Sequence, residues 1–325
     1  MVYRMRSAGL SNRQAEFHCV VSAINELAYS RWMVNIFLFA TTVMIWGATW
    51  YAIVFQLGVV DPGVSLAYRY ALASLLAFAW CFFRGDSLRF GWSGHRYFLL
   101  LGLFLFGLNY LSAYHAQIYI SSALNAIGFS AMIWMNIINA RLFFGARAGL
   151  RTFASAAMGM TGIVIIFWPE VEVLSWSDKV LIGAFFSLLG ALLASFGNMA
   201  SQAAQLKGIP VMQANAWGML YGALLNGGLA LVQGKTFNFD PSPSYTVSLL
   251  FLAVFGSVIA FACYLTLLGR IGLERAGYAA VMVPVVALML SAVLEGLELQ
   301  SHILIGMSLA IAGNVFILVR SGSRH

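Results

Sequence analysis

Ten apolar stretches recur along this chain, near residues 34–57, 62–83, 97–119, 122–144, 152–168, 180–204, 210–233, 246–268, 275–295 and 302–319. About 20 apolar residues in helix cross the hydrocarbon core of a bilayer. There every backbone polar group must be satisfied within the protein, which leaves helices or closed barrels. The run lengths predict an all-α polytopic membrane protein of ten transmembrane helices, the fifth and tenth short. The brief connections make sequential helices antiparallel neighbours. Of the 325 residues, 61% are hydrophobic and 9% charged, against about 25% charged in soluble domains, which excludes an ordinary soluble fold.

The net charge of +7 forms no stripe suited to nucleic acid. The basic residues fall instead in the gaps between apolar runs. With the N-terminus inside, fifteen Lys and Arg residues collect on the inner side, and the outer side holds only Lys179 and Lys235. This bias predicts a multi-pass protein of the cell inner membrane with both termini cytoplasmic. Cys19, Cys81 and Cys263 are odd in number, lack metal-ligand spacing, and fall in or near the cytoplasmic half. Neither a disulfide framework nor a metal site is expected.

Residues 1–32 carry Arg4, Arg6, Arg13, Glu16, Glu26 and Arg31 and lack the apolar core of a signal peptide. They read as a poorly ordered cytoplasmic extension, with a weak amphipathic helix around Ala15 to Ala28, or as sequence upstream of a start at Met33. The remainder divides into a first five-helix repeat over 33–168, an outer linker over 169–179, and a second repeat with a short cytoplasmic tail over 180–325. Pro62 opens the second segment and Pro210 the seventh. FFGARAGLRTFASAAMGMTGIVIIF aligns with LEGLELQSHILIGMSLAIAGNVFIL, matching Gly145 to Gly296 and Gly162 to Gly313. Five is an odd number of crossings, so the second copy inserts inverted. Inverted repeats recur in carriers with the substrate site at their interface.

WGATWYAIVFQLGVVDPGVSLAYRYALASLLAF places Trp-Gly in the first helix, a proline after the loop and an arginine in the second helix. With the Glu298, Gly306 and Gly313 tail, this resembles EamA-type members of the drug/metabolite transporter superfamily, over about residues 34–320. The resemblance implies a ten-helix carrier of small organic metabolites, such as amino acids or related compounds, commonly an exporter. One departure is Ala146-Arg147, where the family often has a glutamate after the fourth helix. No glutamate role carries over there.

Arg69 is the one full charge inside the Pro62–Phe83 run, flanked by Tyr68 and Tyr70. At the centre of a membrane helix it costs about 2.5–3.5 kcal/mol to insert. It serves either as a cavity cation for a carboxylate or phosphate, or as a structural arginine tied to neighbouring helices. The expected partners are amide oxygens of the third and fourth helices. Those helices are polar: Asn109, Tyr110, His115, Asn125 and Asn136 are candidate substrate contacts, or helix–helix glue. Trp46 in the first helix and Asn198, Trp217, Tyr221 and Tyr264 in the second half complete the candidate set. His115 is the sole deep titratable candidate for energy coupling. Pro284 breaks a hydrogen bond in the ninth helix and serves as a gating hinge or a packing bend. The small residues Gly218, Gly222, Gly306, Ala310 and Gly313 permit close helix approach within a monomer or in a homodimer. Partners are therefore a small-molecule substrate and the lipid bilayer, with no nucleic acid and no cofactor. A membrane enzyme on lipid-linked substrates would need acids, histidines or metal ligands clustered at one membrane face. A scaffold would have little use for polar residues on several helices.

Overall fold

The structure, a computed structural model, describes residues 12–172, 178–294 and 300–318. Among them there is no strand. The long apolar runs leave few alternatives to helix, because every backbone donor and acceptor is then paired locally. The helices are α1 (Asn12–Val54), α2 (Pro62–Phe83), α3 (Trp92–Leu100), α4 (Asn109–Tyr119), α5 (Ser122–Ser130), α6 (Met132–Phe144), α7 (Leu150–Ile166) and α8 (Trp168–Glu172). They continue with α9 (Asp178–Leu206), α10 (Val211–Val232), α11 (Pro243–Phe251), α12 (Ala260–Ile271), α13 (Leu273–Ala276), α14 (Ala279–Leu294) and α15 (Ser301–Leu318). Two π-helical segments, π1 (Leu101–Leu108) and π2 (Leu252–Ile259), join α3 to α4 and α11 to α12 without a break.

Among the described residues, seven helices are long and apolar enough to cross a membrane. Leu150–Ile166 and Ser301–Ile317 are shorter apolar helices. α1 begins at Asn12, inside the stretch read as a poorly ordered extension. Residues 1–11, the tail from 319, and Gly296 and Glu298 of the repeat and family patterns lie outside the described residues.

Local signals set several boundaries. Asp61 caps α2 by accepting from Gly63 N at 2.9 Å, with Pro62 in the first turn, where its missing N–H costs nothing. α6 ends on Gly145 in the left-handed region, φ 65°. Ser121 and Ser242 cap α5 and α11.

Packing links the two halves helix by helix. α7 lies along α15, and α2 along α10. α1 packs on α12 and α14, while α9 packs on α4, α5 and α6. π1 meets α10 as π2 meets α2. One and the same shift along the chain carries Leu101 onto Leu252, Leu150 onto Ser301, and Gly162 onto Gly313. The α7–α15 contact follows that shift. A Cβ on Gly162 would meet the Gly306 oxygen at 2.5 Å and Ala310 N at 2.7 Å. One on Gly313 would meet the Ser155 oxygen at 2.8 Å and Gly159 N at 3.0 Å. In lipid, where helix association rests on close van der Waals approach, these glycines let the two backbones touch.

Candidate functional site

The two tightly packed pairs, α2 with α10 and α7 with α15, leave a cavity between the remaining helices. Its empty volume is about 770 Å³ including its mouth. α1 supplies Trp46, Thr49 and Trp50; α4 supplies Asn109, Tyr110 and Gln117. Phe129 and Met132 come from the ends of α5 and α6. The second half contributes Asn198 from α9, Phe261 and Tyr264 from α12, and Pro284 from α14. No lining residue comes from α2, α7, α10 or α15.

The walls are aromatic. Trp46 packs 5.1 Å from Phe261 and 4.9 Å from Tyr264, and Trp50 sits 5.8 Å from Phe129, all between ring centroids. The polar groups among them show a consistent bias. Trp46 Nε1 donates to the Gly256 oxygen (3.2 Å) and Thr49 Oγ1 to the Trp46 oxygen (2.8 Å). Asn109 Nδ2 donates to the Leu105 oxygen (3.1 Å) and Asn198 Nδ2 to the Tyr264 hydroxyl (3.0 Å). Asn109 Oδ1, Asn198 Oδ1 and both amide atoms of Gln117 are buried without a partner among the described residues. A buried carbonyl without a donor costs about 1–3 kcal/mol, so this arrangement is poised for a partner.

Of the sequence candidates, Trp46, Asn109, Tyr110, Asn198, Tyr264 and Pro284 line this cavity. Arg69 does not. It is 1% exposed and lies behind Tyr110, with Cζ 4.7 Å from that ring and 5.3 Å from the ring of Tyr70. Its Nε donates to Ser257 Oγ at 3.0 Å, and Ser257 in turn donates to the Leu252 oxygen at 2.9 Å. The amide oxygens expected as its partners are replaced by tyrosine faces and a hydroxyl of π2. Gly256 makes room for this, since a Cβ there would stand 3.5 Å from Arg69 Nη2 and 2.9 Å from Thr49 Cγ2. A ring quadrupole attracts a desolvated cation by about 2 kcal/mol or more, which offsets part of the burial cost.

The other candidates hold helices together. His115 Nδ1 faces the Leu111 oxygen one turn back at 2.8 Å, with its ring 5.7 Å from Phe186. Asn125 Nδ2 donates to the Ala113 oxygen at 3.0 Å, and Ser187 Oγ of α9 donates to the Asn125 oxygen at 3.0 Å. Asn136 packs against Gly277. Trp217 and Tyr221 of α10 form a cluster with His95 of α3: His95 Nδ1 lies 2.7 Å from the Tyr221 hydroxyl. Trp217 Nε1 reaches the Leu88 oxygen at 3.2 Å. Neither Trp217 nor Tyr221 lines the cavity, and their helix α10 packs along α2.

Gln117, one of the polar residues of the third apolar stretch, also lines the cavity. Thr49, Trp50, Phe129, Met132 and Phe261 line it too, and carried no polar or charged signal strong enough to single them out. Their signal was helical spacing. Trp50 stands one turn after Trp46, and Gln117 continues the stripe of Asn109, Tyr110 and Ala113.

Comparison with known proteins decides the family. The model of the EamA-like transporter family matches residues 33–168 and again 181–319. The chain belongs to that family. It is similar to the uncharacterized transporter YoaV of Bacillus subtilis, 24% identical over 278 residues, covering 83% of this chain and 91% of that protein. The uncharacterized inner membrane transporter YedA of Escherichia coli K12 is 26% identical over 260 residues, 78% of this chain and 80% of that one. A riboflavin transporter of Rhizobium johnstonii is 34% identical over 129 residues, 39% of this chain and 38% of its own length. A solved crystal structure shares the fold with TM-score 0.73 at 18% identity, covering 91% of this chain and 99% of its own. This EamA-like chain is thus a multi-pass membrane protein of a transporter family.

Proposed function

We propose that this EamA-like chain is a secondary transporter of small organic metabolites across the inner membrane, exporting them by alternating access of two inverted five-helix halves. The observation that carries the reading is the cavity itself, lined by both halves and holding buried amide groups without partners. The pairing of helices supports the inverted arrangement. Exchanging the first five spans for the last five turns the α1–α12 contact into the α9–α4 contact and the α2–π2 contact into the α10–π1 contact. Such internal exchange suits a site that opens in turn to either side. The excess of Lys and Arg on one set of loops supports cytoplasmic termini. Pro284, on the cavity wall inside α14, is the proposed hinge.

The test compares metabolites inside and outside cells that express the wild-type chain, a Trp46→Ala, Asn198→Leu double variant, or no copy. Export predicts a metabolite that moves to the medium with the wild type and not with the variant. Accumulation of that metabolite inside the cell with the wild type would reverse the direction, and no redistribution at all would remove the function.

A further inference from the structure

The cavity's unpartnered amide groups lean toward acceptors, and that limits what it can hold. Among the described residues that line it there is no Asp, Glu, Lys, Arg or His. The amide donors of Asn109 and Asn198 and the donors of Trp46 and Thr49 are all committed inside the protein. What remains free at the two asparagines is carbonyl oxygen, and at Gln117 both the amide oxygen and the amide NH2. A carboxylate or phosphate accepts hydrogen bonds only, so it could use Gln117 Nε2 and a tyrosine hydroxyl but would leave the asparagine and glutamine oxygens unpaired. An organic cation would meet acceptors and rings, which alone would suit it. Behind Tyr110, however, stands the buried Arg69 guanidinium. A second positive charge near it is repelled in a medium of low dielectric. A cation is disfavoured by charge, and an anion, though attracted by the guanidinium, leaves three unpartnered amide oxygens without donors, so a neutral molecule that donates is favoured. The flat walls formed by Trp46, Trp50, Tyr110, Phe129, Phe261 and Tyr264 suit a π-system in edge or offset contact.

We propose that the cavity binds an uncharged, planar, nitrogen-containing heteroaromatic molecule that donates ring N–H groups to the Asn109 and Asn198 oxygens. This rests on the cavity being the transport site, so binding and flux are read separately. The full-length protein in lipid nanodiscs is titrated with adenine, uracil and lumichrome as neutral donors. 1,3-Dimethyluracil is the matched ring without N–H; benzoate, zwitterionic tryptophan and benzyltrimethylammonium are the charged probes. The expected result is saturable binding of at least one neutral donor, weakened about tenfold by Asn109→Leu or Asn198→Leu. Dimethyluracil should bind about tenfold more weakly than uracil, a comparison that leaves the protein untouched. Tighter binding of any charged probe, equal binding of uracil and its dimethyl form, or no neutral binding overturns the proposal. Flux in proteoliposomes then separates the two readings. A neutral ring that binds and is not carried keeps the ligand class and removes the carrier. Flux of a charged metabolite without neutral binding does the reverse.

Discussion

Gly162 of α7 and Gly306 of α15 face each other so closely that a Cβ on either would stand 2.5 Å from the other's carbonyl oxygen. Alanine at Gly162 gains about 1 kcal/mol of helix propensity. It also forces two backbones apart, and overpacking of this kind costs about 1–3 kcal/mol or more. The clash wins, because a backbone oxygen has no rotamer to move to. Gly162→Ala and Gly306→Ala should each lower the thermal midpoint in lipid. Gly228→Ala, on α10 with no atom within 4 Å of its built Cβ, should raise it slightly. A rise in all three would show that the helices have slack.

Arg69 is held by shape as much as by charge. Methionine fills the space between Tyr70 and Tyr110 without a charge to desolvate, so Arg69→Met should reach normal folded levels. Flux should fall, since Tyr110 loses the cation that fixes its ring beside the cavity. Arg69→Lys keeps the charge and loses the planar fork, and should fall between. Ser257→Ala removes the acceptor of Nε and should destabilise by about 1.5–3 kcal/mol, the range for a bond to a charged group. Misfolding of Arg69→Met would place the charge itself among the structural requirements.

In the loop before α2, Asp61 makes both a helix cap and an ion pair with Lys235 at 3.1 Å. The pair is half exposed on the lysine side, 44%, and worth at most about 1 kcal/mol. The cap contributes about 0.5–2 kcal/mol. Asp61→Ala should therefore cost more stability than Lys235→Ala, and Asp61→Asn should retain most of it. Equal losses for Asp61→Asn and Asp61→Ala would mean that the charge matters more than the cap.

His115 is tied to its own helix and stands off the cavity. His115→Gln should leave both the rate of flux and its pH profile within about twofold of wild type. A flattened profile in the variant would restore the histidine as a coupling group.

The helical spans were legible because lipid leaves the backbone so few options, and hydropathy registers that constraint directly. Pro62 marked the start of α2 to the residue, and the structure adds Asp61 as its cap. The site was half legible, for a geometric reason. Trp46, Asn109, Tyr110, Asn198 and Tyr264 sit on helices that face the cavity; Trp217 and Tyr221 carry the same chemistry on α10, which lies along α2. Residue type announces binding capacity, whereas the direction a helix faces depends on which partner it packs against. Arg69 shows the same gap. Its cost in a membrane was readable, and its screening by Tyr110 required the tertiary fold.

π1 and π2 carry a consequence of their own. A π segment arises when a helix takes up one surplus residue in a widened turn, leaving the flanks on both sides in their original phase. Each of these two spans therefore has a residue to spare. Removing Phe104 from π1, or Val254 from π2, should let the widened turn close to ordinary α-helix while Asn109 and Phe261 keep their bearings toward the cavity. Deleting Leu72 from the regular turns of α2 would instead swing everything beyond it by about 100°. Single-residue deletion, ordinarily ruinous inside a membrane helix, becomes at these two places a change the chain is built to absorb.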